Sequence, residues 1–299
     1  MSGPARVAAF SVALVALFAG AALLGGAVDP SGSQAGEDHG AGHAGGEQMA
    51  ADAHGSDEHG EGAPGESAAA PPGLQVAEDG YRLIAGRTRF ARAQRSAQFA
   101  FRIVDGDGEP VRDFELEHEK RMHFIVVRRD LRGFQHLHPT MRPDGTWSTS
   151  VDFVPGGVYR VFADFKAGGT KRTLGTDVHV GGRYRPEPLP GSEQSARTED
   201  GLEVSLRSDE ARAGEEGRVE FEVRDGAQVV NDDLQTYLGA AGHLVALRAG
   251  DLAYLHTHPE GDELAFMADY PSAGSYRLFV QFRYRGRLQT AAFTQEVPR

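Results

Sequence analysis

Residues 122–139 read MHFIVVRRDLRGFQHLHP, and residues 242–259 read GHLVALRAGDLAYLHTHP. Both stretches contain the motif H-x12-H-x-H-P, and they lie 120 residues apart. They are part of a longer match without gaps, in which segment 99–139 aligns with segment 219–259. Self-similarity at a fixed offset is the sequence signature of a repeated domain. The chain therefore contains two copies of one domain, and each copy carries three histidines at the same positions.

Each copy consists of short runs of alternating apolar and polar residues that are separated by turn sequences. In the first copy the runs lie near 96–103, 112–118, 122–128, 134–138, 147–153, 158–165 and 172–179. The sequences DGDGEP and RPDG between them supply typical turn residues. About seven strands in roughly 105 residues is the pattern of a β-sandwich. We therefore predict an all-β protein with two tandem Ig-like or cupredoxin-like β-sandwich repeats, at 74–184 and 185–299.

The segment before the repeats has two parts. Residues 8–28 are uncharged and mostly apolar and follow Arg6, so they are long enough for an N-terminal hydrophobic helix that spans a bilayer. The same pattern fits a signal peptide, so residues 1–28 are either a membrane anchor or a cleaved signal. In both cases the rest of the chain is extracytoplasmic. Residues 29–73 lack aromatic and β-branched side chains and are predicted to be a disordered, acidic, histidine-rich linker.

The linker histidines allow two interpretations. Acidic, histidine-rich segments can bind metal loosely, but such a segment can equally be a solvated spacer. The histidines concerned are His39, His43, His54 and His59. The sequence does not decide between these interpretations.

Charge and cysteine content exclude several classes of function. The formal net charge is −12, which argues against nucleic acid as a partner. The chain has no cysteine, which excludes disulfides, zinc–thiolate sites, thiol nucleophiles and a cysteine-linked lipid anchor. Any bound metal must therefore be held by histidine, carboxylate, methionine or backbone atoms.

The hairpin that spans residues 122–138 brings three histidines together. If its turn is centred in the sequence RRDLRG, His123 lies opposite His138, and His136 lies opposite Ile125. Directly opposed residues share one face of a sheet, and so do residues two positions apart. The three imidazoles are thus predicted to converge on one face. A shift of the strand register by one residue would separate them.

The second copy predicts the same arrangement for His243, His256 and His258. Three imidazoles suit a divalent transition metal, and we favour Cu²⁺ over Zn²⁺ or Ni²⁺. The alternative is a set of structural histidines that form hydrogen bonds at the rim of a sandwich. His118 is predicted to lie in the core and His179 to point outward, so neither is predicted to be a ligand.

At MHFIVVRRDLRGFQHLHP and GHLVALRAGDLAYLHTHP the chain resembles exported bacterial copper-handling β-sandwich proteins of the YtkA, FixH and CopC kind. The resemblance implies that the protein handles a metal. A membrane metal transporter is a candidate partner for such a protein. The resemblance does not fix the metal, because the sequence lacks the N-terminal copper-ligand pattern of CopC-like proteins.

The function that these observations favour is extracytoplasmic metal buffering or delivery without catalysis. One alternative is a tandem structural or interaction protein that binds no metal. Another is a hydrolase in which a metal held by three histidines activates water. Glu115 and Glu117 could assist such a reaction, but the second copy has Gln235 and Tyr237 at these positions. The sequence leaves the oligomeric state open, and also whether the two predicted sites act separately.

Overall fold

The computed structural model describes residues 70–209 and 211–299. The first repeat contains the strands β1 (Ala77–Glu78), β2 (Tyr81–Ala85), β3 (Arg89–Phe90), β4 (Gln94–Val104), β5 (His123–Arg128), β6 (Gln135–Leu137), β7 (Thr140–Met141), β8 (Trp147–Phe153), β9 (Gly157–Ala167) and β10 (Thr170–Val180). The second contains β11 (Ser195–Arg197), β12 (Glu203–Ser208), β13 (Glu215–Asp225), β14 (Gln228–Val229), a 3-10 turn (Asn231–Asp233), β15 (Gly242–Arg248), β16 (Thr257–Pro259), β17 (Ala265–Tyr270), β18 (Gly274–Tyr284) and β19 (Arg287–Val297).

Each repeat is a sandwich of two sheets, which confirms the predicted all-β fold with an internal repeat. The first repeat pairs its strands in the orders β1-β2-β4-β8-β7 and β3-β10-β9-β5-β6. The second repeat has the orders β11-β12-β13-β17-β16, with β14 beside β13, and β15-β18-β19. All of these pairings are antiparallel except that of β10 with β3.

The predicted N-terminal features fall largely outside the described residues. The anchor or signal at 8–28 lies wholly outside them, as does the linker up to residue 69. Within 70–209 and 211–299 no helix is both long and apolar enough to cross a bilayer. The folded chain begins earlier than predicted, because the Gly73 amide donates to the carbonyl oxygen of Thr173 at 2.8 Å. The carbonyl oxygen of Pro72 accepts from the Tyr254 amide at 2.9 Å, so this segment contacts both repeats.

One predicted strand of the first repeat is wrong. Residues 112–118 form only isolated bridges, at Glu115 and Glu117. Phe114 is buried in the core, as the alternation predicts, but Leu116 is exposed. The chain then turns sharply, because His118 and Glu119 both have positive φ angles, of 45° and 65°. Two consecutive positive φ angles are the geometry of a tight type I′ turn, which the hydrophobic pattern did not predict.

The buried apolar residues form three clusters. Two of them fill the interiors of the individual repeats. The third lies between the repeats, where the sheet of β5 and β9 packs against the sheet of β15 and β18. Its closest ring contact joins Phe134 and Phe279, whose centroids are 4.1 Å apart and whose planes differ by 5°. The repeats therefore share a buried interface, and the candidate site lies beside it.

Candidate metal centre

The alternation of side chains along β5 places one histidine at the interface. All six residues of β5 are buried, because both faces of the strand are covered. Phe124 and Val126 point into the first sandwich, whereas Ile125 and Val127 belong to the cluster between the repeats. His123 is two residues before Ile125, so its side chain points to the same face of the strand and lies on the interface side. It is 1% exposed.

The corresponding strand of the second repeat, β15, follows the same rule. Leu244 and Ala246 point into the second sandwich, and Val245 and Leu247 face the first repeat. His243 is two residues before Val245, so it also faces the first repeat. The rings of His123 and His243 lie 5.4 Å apart with planes that differ by 8°.

The first hairpin has the predicted register. Ile125 pairs with His136 across β5 and β6, and Phe124 pairs with Leu137. His136 is consequently on the interface side and is 8% exposed. His138 follows directly after β6, and its ring centroid lies 5.2 Å from that of His123 and 4.8 Å from that of His136.

The second hairpin departs from the prediction. Its base has the expected register, with a bridge between Leu247 and Tyr254. Beyond this point β16 pairs with β17 of the other sheet instead of β15. The hydroxyl of Thr257 donates to the carbonyl oxygen of Leu244 at 2.8 Å. If the hairpin continued, this carbonyl oxygen would instead accept a backbone hydrogen bond from the opposite strand. The equivalent residue of the first repeat, Leu137, has no hydroxyl.

The three predicted second-site residues are therefore separated. His256 and His258 are exposed, whereas His243 joins the histidines of the first repeat. Among the described residues the potential ligand atoms of His123, His136 and His243 all lie within 4.8 Å of one another. The two predicted sites are thus replaced by a single cluster between the repeats, and it takes its members from both.

Hydrogen bonds define the orientation of two of these rings. His123 Nε2 lies 2.9 Å from the backbone carbonyl oxygen of Glu117, which can only accept, so this nitrogen carries the proton. His136 Nδ1 lies 2.8 Å from Oε1 of Gln281, a buried side chain of the second repeat. The two facing nitrogens, Nδ1 of His123 and Nε2 of His136, lie 3.0 Å apart. When His136 Nδ1 donates to Gln281, both facing nitrogens carry lone pairs that a metal ion between them would accept.

This spacing is close to that of two ligands on one metal ion. A tetrahedral ion with bonds of about 2.05 Å holds neighbouring nitrogens about 3.3 Å apart. The His123–His136 pair is already near that value. The ligand atom of His243 would need to approach by at most about 1.5 Å. His138 could complete the coordination, because its Nε2 is buried without a hydrogen-bond partner among the described residues.

Burial keeps the cluster neutral. Removal from water, together with the nearby His123 and His138, lowers the pKa of His136 to about 3. Burial and His123 lower the pKa of His138 to about 4. The pKa values of His123 and His243 are also lowered, chiefly by burial. Neutral imidazole is the form that binds metal, so the lone pairs are available at neutral pH without removal of a proton.

His118 was predicted to lie in the core, and this is wrong: it is half-buried in a turn beside the histidine cluster. Its ring lies 5.5 Å from that of His243 and 6.1 Å from that of His123. The turn that follows Glu117 places it there, and the same turn presents the Glu117 carbonyl to His123. Histidine tolerates a positive φ better than most residues, which was the available signal. His179 is exposed, as predicted.

A family model described as a domain of unknown function, DUF8832, matches the chain twice, over residues 75–182 and 196–299. The chain belongs to the DUF8832 family. The two DUF8832 matches coincide with the two sandwiches, so each sandwich is one copy of the family domain. No curated protein matches the sequence.

Several solved structures are similar to this DUF8832 chain at low sequence identity and low TM-score. The adhesin FdeC of Escherichia coli is 12% identical with a TM-score of 0.25, over 75% of this chain and 65% of that chain, which is less than two thirds of the adhesin. A chimeric titin Z1Z2 is 14% identical with a TM-score of 0.18, over 73% and 97% of the two chains. Invasin, a bacterial integrin-binding protein, is 12% identical with a TM-score of 0.20, over 71% and 38%. At these TM-scores the likenesses carry no functional argument.

Glu115 and Glu117, which the hydrolase alternative invokes, form ion pairs with another residue of the DUF8832 fold. Glu115 accepts a hydrogen bond from the Gly169 amide at 2.6 Å and forms an ion pair with Lys166 at 3.3 Å. Glu117 forms an ion pair with the same lysine at 3.4 Å. Both carboxylates are thus held by a lysine of β9. The contacts favour a structural role for them.

Proposed function

We propose that this protein binds one divalent transition-metal ion between its two repeats, through His123, His136 and His243, and that it buffers or delivers the metal outside the cytoplasm. One observation carries the proposal. Two buried imidazoles place Nδ1 of His123 and Nε2 of His136 3.0 Å apart, while the outer nitrogen of each ring lies within hydrogen-bond distance of a carbonyl oxygen. Metal-binding histidines almost always donate their second N–H to such an acceptor, which fixes the tautomer.

The metal-free protein has a hydrogen-bonded alternative at the same atoms. If Nε2 of His136 carries the proton, it donates to His123, and the amide of Gln281 turns over to donate to His136. The turned amide then accepts from the hydroxyl of Thr290, which lies 3.1 Å away. The two states differ by one tautomer and one amide orientation. The change at His123 and His136 therefore requires no movement of the strands that carry them.

Copper is the metal that we favour. A site made of imidazoles accepts Cu²⁺, Zn²⁺ and Ni²⁺, and Cu²⁺ binds most tightly in the usual order of divalent ions. The location outside the cytoplasm rests on the apolar segment 8–28. Pro72, near the start of the described chain, accepts a hydrogen bond from the Tyr254 amide of the second repeat.

The stoichiometry of binding tests the proposal. The full chain with the four linker histidines replaced by alanine is titrated with Cu²⁺ and with Zn²⁺, and bound metal is measured after gel filtration. We expect one equivalent per chain, whereas two independent sites would give two. His123→Ala, His136→Ala and His243→Ala are expected to lose it. His179→Ala is the matched control, because it removes an exposed histidine far from the cluster in the sequence.

The tautomer supplies a second readout. Nitrogen NMR of the zinc-bound and metal-free forms should show the proton of His136 on Nδ1 with metal and on Nε2 without it. Absence of bound metal in the unsubstituted cluster would contradict the proposal. It would leave the tandem structural or interaction protein as the better explanation.

A further inference from the structure

A cavity of about 260 Å³ adjoins the histidine cluster. Its wall includes Asp164, Lys171 and Thr173 of the first repeat and His243 and His256 of the second. It therefore connects a proposed ligand with a histidine that is exposed to solvent. Neither His123 nor His136 belongs to this wall.

His256 and His258 form an exposed pair beside the cavity. Their ring centroids lie 5.9 Å apart, and both side chains are exposed. The hydrogen bond from Thr257 to the Leu244 carbonyl holds the residue between them against β15. The pair is thus fixed next to the strand that carries His243. Two imidazoles leave most positions on an ion to water, so such a pair binds weakly and exchanges quickly.

The cluster itself is poorly accessible. His123 and His136 are 1% and 8% exposed, whereas His243 is partly buried. A hydrated ion must lose its water before it reaches the two buried rings. His243 borders the same cavity as the exposed His256. It is therefore the first residue of the cluster that an ion entering through this cavity would reach.

The charges in the wall allow a cation to pass. Lys171 would repel an ion, but its ammonium group lies 3.5 Å from the carboxylate of Asp164. That carboxylate is buried, and it also accepts a hydrogen bond from the Thr173 hydroxyl at 2.8 Å. The pair is close to neutral, and the carboxylate offers oxygen atoms along the wall.

We infer that His256 and His258 are an uptake pair, which captures a hydrated divalent transition-metal ion at the surface and passes it through this cavity to His243. The inference rests on the proposed function, because it needs the buried cluster as the destination. It gives a role to the two histidines of the second motif that the cluster itself does not use.

The rate of metal uptake tests the inference. Trp147 is the single tryptophan of the chain and lines a second cavity together with His138, so Cu²⁺ in the cluster should quench its fluorescence. The full chain with its four linker histidines replaced by alanine is mixed with Cu²⁺ in a stopped-flow instrument. The variant is His256→Ala with His258→Ala, and the control is His179→Ala, which also removes exposed imidazole.

We expect the double variant to bind one equivalent with unchanged affinity but to load roughly tenfold more slowly, because a tethered ligand holds the ion near the cavity at high effective concentration. Release should slow by the same factor, since a pathway changes both rates together. The control should load at the original rate.

Two results would overturn the inference. One is an unchanged rate in the double variant, and the other is a loss of bound copper or of affinity at equilibrium, which would make the pair ligands of the final site. Failure of the proposed function is distinguishable, because the chain with both histidines present would then bind no copper.

Discussion

Acid should destabilise the metal-free protein well above the pH at which carboxylates titrate. In the folded protein, burial and neighbouring histidines lower the pKa of His136 to about 3 and that of His138 to about 4. In an unfolded chain both rings titrate near 6.5. Between these values the unfolded state binds protons that the folded state excludes. The stability is therefore complete above pH 6.5 and falls as the pH is lowered.

The size of the effect follows from the two pKa values. Each pH unit below 6.5 costs about 1.4 kcal/mol per ring until the folded-state pKa is reached. At pH 5 both rings are still neutral in the folded state, so the pair costs about 4 kcal/mol relative to pH 7. This is a large part of the about 5–15 kcal/mol by which domains are usually stable. The lowered pKa values of His123 and His243 act in the same direction.

The assay is urea unfolding followed by Trp147 fluorescence, with a chelator present, at pH 7, 6 and 5. The midpoint should fall steadily over this range. His136→Gln combined with His138→Gln should flatten the dependence, whereas His179→Gln should leave it unchanged. A midpoint that stays constant from pH 7 to pH 5 would refute the argument that these rings are buried in the neutral form.

Three further predictions concern the contacts around the cluster. Gln281→Leu removes the acceptor of one cluster ring and should weaken Zn²⁺ or Cu²⁺ binding about 10- to 100-fold in a calorimetric titration. Phe134→Ala removes the ring stacked on Phe279 and should cost about 3 kcal/mol in urea unfolding, with weaker metal binding because the ligands come from both repeats. Thr257→Val removes the hydrogen bond to the Leu244 carbonyl and should cost about 1 kcal/mol, with metal stoichiometry unchanged. A Thr257→Val protein that bound two equivalents would contradict the last expectation.

The sequence was sufficient to predict the first hairpin and the number of sandwiches. The short, mostly apolar run at 122–128 predicts a strand, and the RRDLRG turn then fixes the register that pairs Ile125 with His136. The gap-free repeat fixes the number of sandwiches. These features arise within one hairpin or one domain, where residue spacing and turn chemistry decide the outcome.

The sequence was insufficient wherever two surfaces meet. Alternation shows that His123 and Ile125 share a face, but not whether water or another domain covers that face. The structure covers it with the equivalent face of β15, so His243 joins the first set of histidines. His118 was missed for a related reason. A tight turn with positive φ angles interrupts the alternation after Phe114, and the pattern was extended through it.

The asymmetry of the two motifs follows from electrostatics and space at this interface. Because β5 and β15 pack with equivalent faces together, two complete sets of three histidines would place six imidazoles in one enclosed volume. The cluster already contains rings whose mutual repulsion, when charged, contributes to their lowered pKa values. Further imidazoles there would have to be removed from water at a cost in free energy. They would not be needed as ligands, because a tetrahedral ion takes four. The Thr257 hydroxyl occupies the Leu244 carbonyl and lets β16 leave β15, which moves two histidines to the surface. The second motif is thus divided between one histidine in the buried cluster and an exposed pair, at the point where Thr257 bonds to the Leu244 carbonyl.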